Sequence, residues 1–147
     1  MFKNILIPTD GSELSDKAVK HGVALARAFG AKLVGLHVMP DPVALYTTEV
    51  AWADDRILER MREAAVADGK KYLDAFQAAA DAGGVKFERV LRQDDQVWKG
   101  IIDTAKEKDC DLILMAAHGR RGVAALLIGS ETNKVLTHSR IPVLVYR

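Results

Sequence analysis

Apolar positions along the chain fall into two alternating patterns. Short uninterrupted runs, such as "NILIPT" at Asn4–Thr9, "KLVGLHV" at Lys32–Val38 and "DLILMAA" at Asp111–Ala117, have the length of strands buried on both faces. Between them lie longer segments whose apolar residues recur at helical spacing. The first carries Leu14, Ala18, Gly22, Leu25 and Phe29. Ser12 is placed to cap it, Glu13 and Asp16 sit near the positive end of its dipole, and Gly30 is placed to stop it. The second runs from Asp54 to Ala82, with an apolar stripe of Ile57, Met61, Ala65, Tyr72, Phe76 and Ala79, and ends at Gly83-Gly84. "VWKGIIDTAKEK" predicts a third helix and "SETNKVLTHS" (Ser130–Ser139) a fourth. "VKFERVL" (Val85–Leu91) alternates apolar and polar residues, as a strand nearer a sheet edge does, and "IPVLVY" (Ile141–Tyr146) is the fifth strand. Pro40 and Pro42 forbid continuation of the second strand. Asp41 to Ala53 is the least patterned stretch and reads as a long loop with the dimensions of a lid.

Strand and helix thus alternate through the whole chain. That order predicts an α/β fold in one domain over residues 1–147: a five-stranded parallel sheet, doubly wound and Rossmann-like, with right-handed crossovers and helices on both faces. Open parallel sheets bind ligands at the carboxyl ends of their strands, where the winding reverses. The ends that matter are Pro8-Thr9-Asp10-Gly11-Ser12, Val38-Met39, and Met115 to Gly119, where glycines and polar groups collect.

Composition narrows the chemistry. A formal charge of +1 on 147 residues gives no electrostatic case for nucleic acid or an anionic membrane. No apolar run approaches a membrane span, and "MFKNILIPTDG" lacks the apolar stretch of a signal peptide, so a cytoplasmic location is expected. Cys110 has no second cysteine to pair with and reads as an inert, half-buried thiol. His21, His37 and His138 have no metal-ligand spacing and read as structural or exposed; Trp52 and Trp98 read as packing residues.

The connection after the fourth strand is different in kind. Gly119 and Gly129 bracket nine residues, and Ser130 opens the next helix. Glycine lets backbone approach a ligand, loop amides bind phosphate oxygens, and a helix start adds free N–H groups with a positive dipole. The segment is therefore either a phosphate cradle, with Ser130 Oγ and the amides of Gly129 to Glu131 as donors, or a loop with glycine turns and a serine N-cap. Arg120 and Arg121 either neutralise phosphate, with at most one in that role, or are solvated loop charges. His118 either points at a phosphate or packs beneath the loop. Asp10 is a turn signal, and also an acidic group beside the expected crevice.

"ILIPTDGSELS", "LVGLHV", "CDLILMAAHGRRG", "LLIGSETNKVL" and "IPVLVYR" together resemble the universal stress proteins, over nearly the whole chain and least across Asp41–Gly84. ATP-binding members of that family carry Gly, two residues, Gly, nine residues, then Gly-Ser or Gly-Thr. This chain has Ala116, Ala117-His118, Gly119, nine residues, then Gly129-Ser130, with alanine in place of the first glycine. The resemblance implies an ATP site position by position. Asp10 meets the ribose while Pro8 and Thr9 shape the adenosine pocket. The backbone of Val38 bonds adenine, and Ala116, beside Met115, lies against the ribose. Gly119, Arg120, Gly129, Ser130 and Glu131 surround the phosphates, with a divalent cation (Mg²⁺ or Mn²⁺) between them. It also implies a homodimer that pairs the strand Ile141 to Tyr146. If residue 116 needs a positive φ, alanine there is strained by about 1–2 kcal/mol; if it only needs room, one methyl presses on the ribose. On either count Ala116→Gly is expected to tighten binding.

Catalytic signals are missing from the sequence. "GKK" at Gly69–Lys71 lacks the Ser/Thr of a Walker loop, and no nucleophile–base pair or G-x-S-x-G elbow is present. The expectation is an ATP-binding regulator with at most slow hydrolysis, against an alternative in which the same fold serves as a dimeric, nucleotide-free interaction protein.

Overall fold

Strand and helix alternate in space as they do in sequence. A computed structural model of the chain describes residues 1–42, 54–119 and 128–147. The elements are β1 (Asn4–Pro8), α1 (Glu13–Phe29), β2 (Lys32–Met39), α2 (Asp55–Ala82), β3 (Phe87–Gln93), α3 (Val97–Glu107), β4 (Leu112–Ala116), α4 (Ser130–His138) and β5 (Val143–Tyr146). The strands form one parallel sheet in the order β3-β2-β1-β4-β5. The chain winds outward from β1 through β2 to β3, then crosses back to β4 on the other side of β1. The winding therefore reverses between β1 and β4. Most of the lid-like segment, residues 43–53, and Arg120 lie outside the described residues.

Alternation along each strand splits the core in two. Ile5, Ile7, Leu33, Leu112, Leu114 and Ala116 pack against α1 and α2, with Ala18, Val23 and Phe76 opposite them. Leu6, Val34, Leu36, Val38, Ile113 and Met115 pack against Ile101, Ile102 and Ala105 of α3 and Val135 of α4. Local signals set the helix ends. Ser12 caps α1 by accepting from the Ser15 amide, and Gly30 closes it in the left-handed region at φ 64°. Among the described residues, no helix is long and apolar enough to cross a membrane.

Three expectations need correction. The buried line of α2 is Gly69, Leu73, Phe76 and Ala80, whereas Ile57 is 52% exposed. Length explains this: 28 helical residues extend about 42 Å, while the eight residues of β2 extend about 26 Å. The first half of α2 runs past the sheet, so its apolar positions have no strand beneath them. β3 begins at Phe87 rather than Val85, because the Val85 amide is still bonded to Ala80 of the helix exit. β5 begins at Val143 rather than Ile141. Pro142, which has no N–H to give, contributes only its carbonyl, to the Ile113 amide.

Candidate functional site

The reversal between β1 and β4 opens a cleft of about 670 Å³ at the carboxyl ends of β1, β2 and β4. That volume is in the range of small-molecule sites. Its floor is the β1–α1 connection, built around Thr9, which is 5% exposed. The Thr9 amide donates to Leu36 O at 2.8 Å. The Thr9 carbonyl accepts from His37 Nδ1 at 2.7 Å, which places the proton on Nδ1. The Thr9 hydroxyl pairs with the buried Ser15 hydroxyl at 2.9 Å and accepts from the Gly11 amide at 3.2 Å. Gly11 turns the chain at φ 71°, and a Cβ there would overlap the Tyr72 ring of α2. Asp10 Oδ1 accepts from the Ser12 amide at 3.0 Å. This Asx turn fixes the carboxylate at the cleft.

The opposite wall is the β4–α4 connection. Its two ends are pinned together: the Gly129 amide donates to Ala117 O at 2.7 Å, and Thr132 Oγ1 donates to Ala116 O at 3.0 Å. Both flanking glycines sit in tight space. A Cβ on Gly119 would overlap Asp10 Oδ2, and one on Gly129 would press within 3.3 Å of the backbone at Ala117 and His118. The N-cap of α4 is Gly129, not Ser130, which is the first helical residue. Without a side chain, Gly129 gives the helix no capping bond, so the first α4 amides stay open to a ligand.

Of the residues singled out from the sequence, Pro8, Thr9, Asp10, Val38, Met115, Ala116, His118, Gly119, Gly129, Ser130 and Glu131 all line this one cleft; Arg120 lies outside the described residues. Two of them behave differently from expectation. Ala116 sits in β4 paired with Tyr146 and packs in the α1-side core, and Asp109 is the one non-glycine with positive φ among the described residues. Backbone strain at Ala116 is therefore ruled out, because strand geometry suits any L-residue. The Glu131 carboxylate is already committed: Oε2 accepts from the Trp98 amide at 2.9 Å and Oε1 pairs with Lys134 at 2.9 Å. It caps α3 from a distance, since Gln96 offers that helix no side-chain cap.

His37, Tyr72, Trp98 and Lys134 also line the cleft, although the sequence reads His37 as structural or exposed, Trp98 as a packing residue and Tyr72 as part of the α2 stripe. His37 had a signal, standing one residue before Val38 at a strand's carboxyl end. Trp98 had a weaker one, in the first turn after β3; its ring stacks on His138 at 4.6 Å. Nothing local points to Tyr72, which stands between the buried Gly69 and Leu73 of α2 and reaches the cleft edge-on to His37 at 5.2 Å. Cys110 is more buried than expected, at 6% exposure, and burial pushes its thiol up to about 11, with the Asp111 charge adding to the effect. It lies at the opposite end of the sheet from the cleft.

Fold and cleft together define an open, doubly wound α/β domain with a ligand-sized crevice at its switch point. The chain belongs to the universal stress protein family, which matches it over residues 1–147. It is similar to Universal stress protein MJ0531 of Methanocaldococcus jannaschii, at 30% identity over 100% of this chain and 83% of that one. The solved structure of MJ0577 from the same organism superposes with a TM-score of 0.84 at 25% identity, over 99% of this chain and 96% of that one. A universal stress protein solved in complex with cAMP shares the fold with a TM-score of 0.72 at 24% identity, over 99% of this chain and 97% of that one.

Proposed function

We propose that this universal stress protein binds ATP in the switch-point cleft and acts as a nucleotide-dependent regulator in the cytoplasm, with at most slow hydrolysis. The observation that carries the reading is convergence. Residues picked from four separate stretches of sequence meet around one cleft, and the two glycines that border it cannot be replaced without intruding on their surroundings. The cAMP-bound relative supports the fold alone at its level of identity. Among the described residues no three potential metal ligands converge, so a cation would be held through the phosphates and not by a protein cage. Freshly purified protein, denatured and chromatographed, should release ATP or its lower phosphates. No released nucleotide, together with no calorimetric heat from ATP and Mg²⁺, would leave the interaction-protein alternative in its place.

We also propose a homodimer through the strand at Ile141 to Tyr146. The two sheet edges differ: β3 carries Glu88, Arg89 and Arg92, whereas "VLVY" carries no charge and leaves Leu144 45% exposed. Charged edges resist strand pairing and apolar ones invite it. Antiparallel pairing of two β5 strands about a two-fold axis would cover both copies. Sedimentation should give a dimer that Val145→Asp converts to monomer; a monomeric parent protein at micromolar concentration would refute the pairing.

A further inference from the structure

The charge lining the cleft is the opposite of what a polyphosphate alone would call for. Asp10, Asp68, Asp95 and Glu131 line it, against the single ammonium of Lys134 among the described residues. Four carboxylates and one cation leave three net negative charges. The acids are spread over separate walls: Asp10 after β1, Asp68 on α2, Asp95 before α3 and Glu131 on α4. Lys134 is also partly spoken for, being paired with Glu131 at 2.9 Å. One feature welcomes an anion, the uncapped start of α4 at Gly129-Ser130. A single phosphate has a place there, while the described lining as a whole sets four carboxylates against one ammonium.

Resting on the reading of this cleft as an adenine-nucleotide site, we infer that it ranks adenine ligands by negative charge. The monophosphate binds without metal, and the triphosphate binds as its divalent-cation complex, with the free polyanion excluded. A phosphate monoester carries about two negative charges at neutral pH, and the free triphosphate roughly twice that. A divalent cation brings the triphosphate back to about the charge of the monophosphate. Selection arises from the field of the walls and not from a missing contact, so it should respond to salt in a diagnostic direction. Ordinary phosphate sites lose affinity as salt rises. Here, screening relieves repulsion, and affinity for the free triphosphate should rise.

The test is calorimetry on the full chain with adenosine, AMP and ATP, each in EDTA and in Mg²⁺, at about 0.02 and about 0.3 M salt. In EDTA, AMP is expected to lead ATP by at least about tenfold, with Mg²⁺ closing the gap and salt improving metal-free ATP. The double variant Asp68→Asn/Asp95→Asn should tighten metal-free ATP by about three- to tenfold and leave uncharged adenosine within about twofold. Metal-free ATP binding as tightly as AMP, and weakening with salt, would overturn the charge ranking while keeping the nucleotide site. No binding of any of the three ligands, with or without Mg²⁺, would overturn the nucleotide reading and the ranking with it.

Discussion

The β1–α1 and β4–α4 connections face each other across the cleft and are built on opposite plans. The first is short and closed upon itself. Thr9 spends its amide, carbonyl and hydroxyl on Leu36, His37, Ser15 and Gly11, and Asp10 Oδ1 is held by the Ser12 amide. Among its described residues the second is pinned at its neck, by Gly129 to Ala117 and Thr132 to Ala116, and it ends in a helix whose first amides have no side-chain cap. The contrast divides the labour: one side is a rigid, internally satisfied floor that aims a carboxylate, and the other offers backbone donors to whatever fills the cleft. Preorganised groups lose little entropy on binding, and open donors supply the attraction.

Breaking the floor should produce the largest effect. Thr9→Val keeps the shape but leaves the Ser15 hydroxyl and the Gly11 amide without their partner, in a site that is almost fully buried. The expected loss is about 1–3 kcal/mol of stability in urea unfolding. Thr9→Ser, which keeps the hydroxyl, should recover most of it. A Thr9→Val protein as stable as the parent would mean that the hydroxyl pair holds nothing in place.

The junction of the two connections comes next. Gly119→Ala places a methyl on Asp10 Oδ2, a side-chain atom and not backbone, so the carboxylate must shift to make room. Folding should survive, with a thermal midpoint close to the parent's. Affinity for ATP with Mg²⁺ should fall by at least about tenfold, or roughly 1.4 kcal/mol. Unchanged affinity in calorimetry would detach Asp10 from the ligand.

Ala116→Gly should give the smallest effect. Residue 116 is an ordinary strand position with its methyl in the core, so glycine relieves no backbone strain there. A strand glycine should cost about 0.5–1 kcal/mol in unfolding experiments. Any gain in ATP affinity comes only from room beside the ribose and should stay below about threefold, roughly 0.7 kcal/mol. A larger gain would show that the methyl obstructs the ligand directly.

What the sequence made legible was local. Ser12 and Gly30 announce the ends of α1 because capping and left-handed turns act within a few residues. Strand runs betray themselves by being buried on both faces, and the crevice follows from the winding order. What stayed hidden depends on distant partners. Glu131 capping α3 joins residues 33 apart in sequence, so no window on either helix reveals it. The α2 stripe was misplaced because periodicity gives a helix its apolar face but not where the sheet beneath it stops. Ala116 looked like a damaged glycine position by comparison with a motif, although "DLILMAA" already puts it in a strand, and the β4–β5 pairing gives it plain strand geometry.

The central claim is that both connections belong to one ligand site. Amide chemical-shift mapping of the ¹⁵N-labelled protein, titrated with ATP and Mg²⁺, tests it most directly. Gly11 and Ser12 on one side and Gly119, Ser130 and Glu131 on the other should shift together along a single binding curve. Shifts confined to one connection, two curves of different affinity, or movement only at β5 would contradict it.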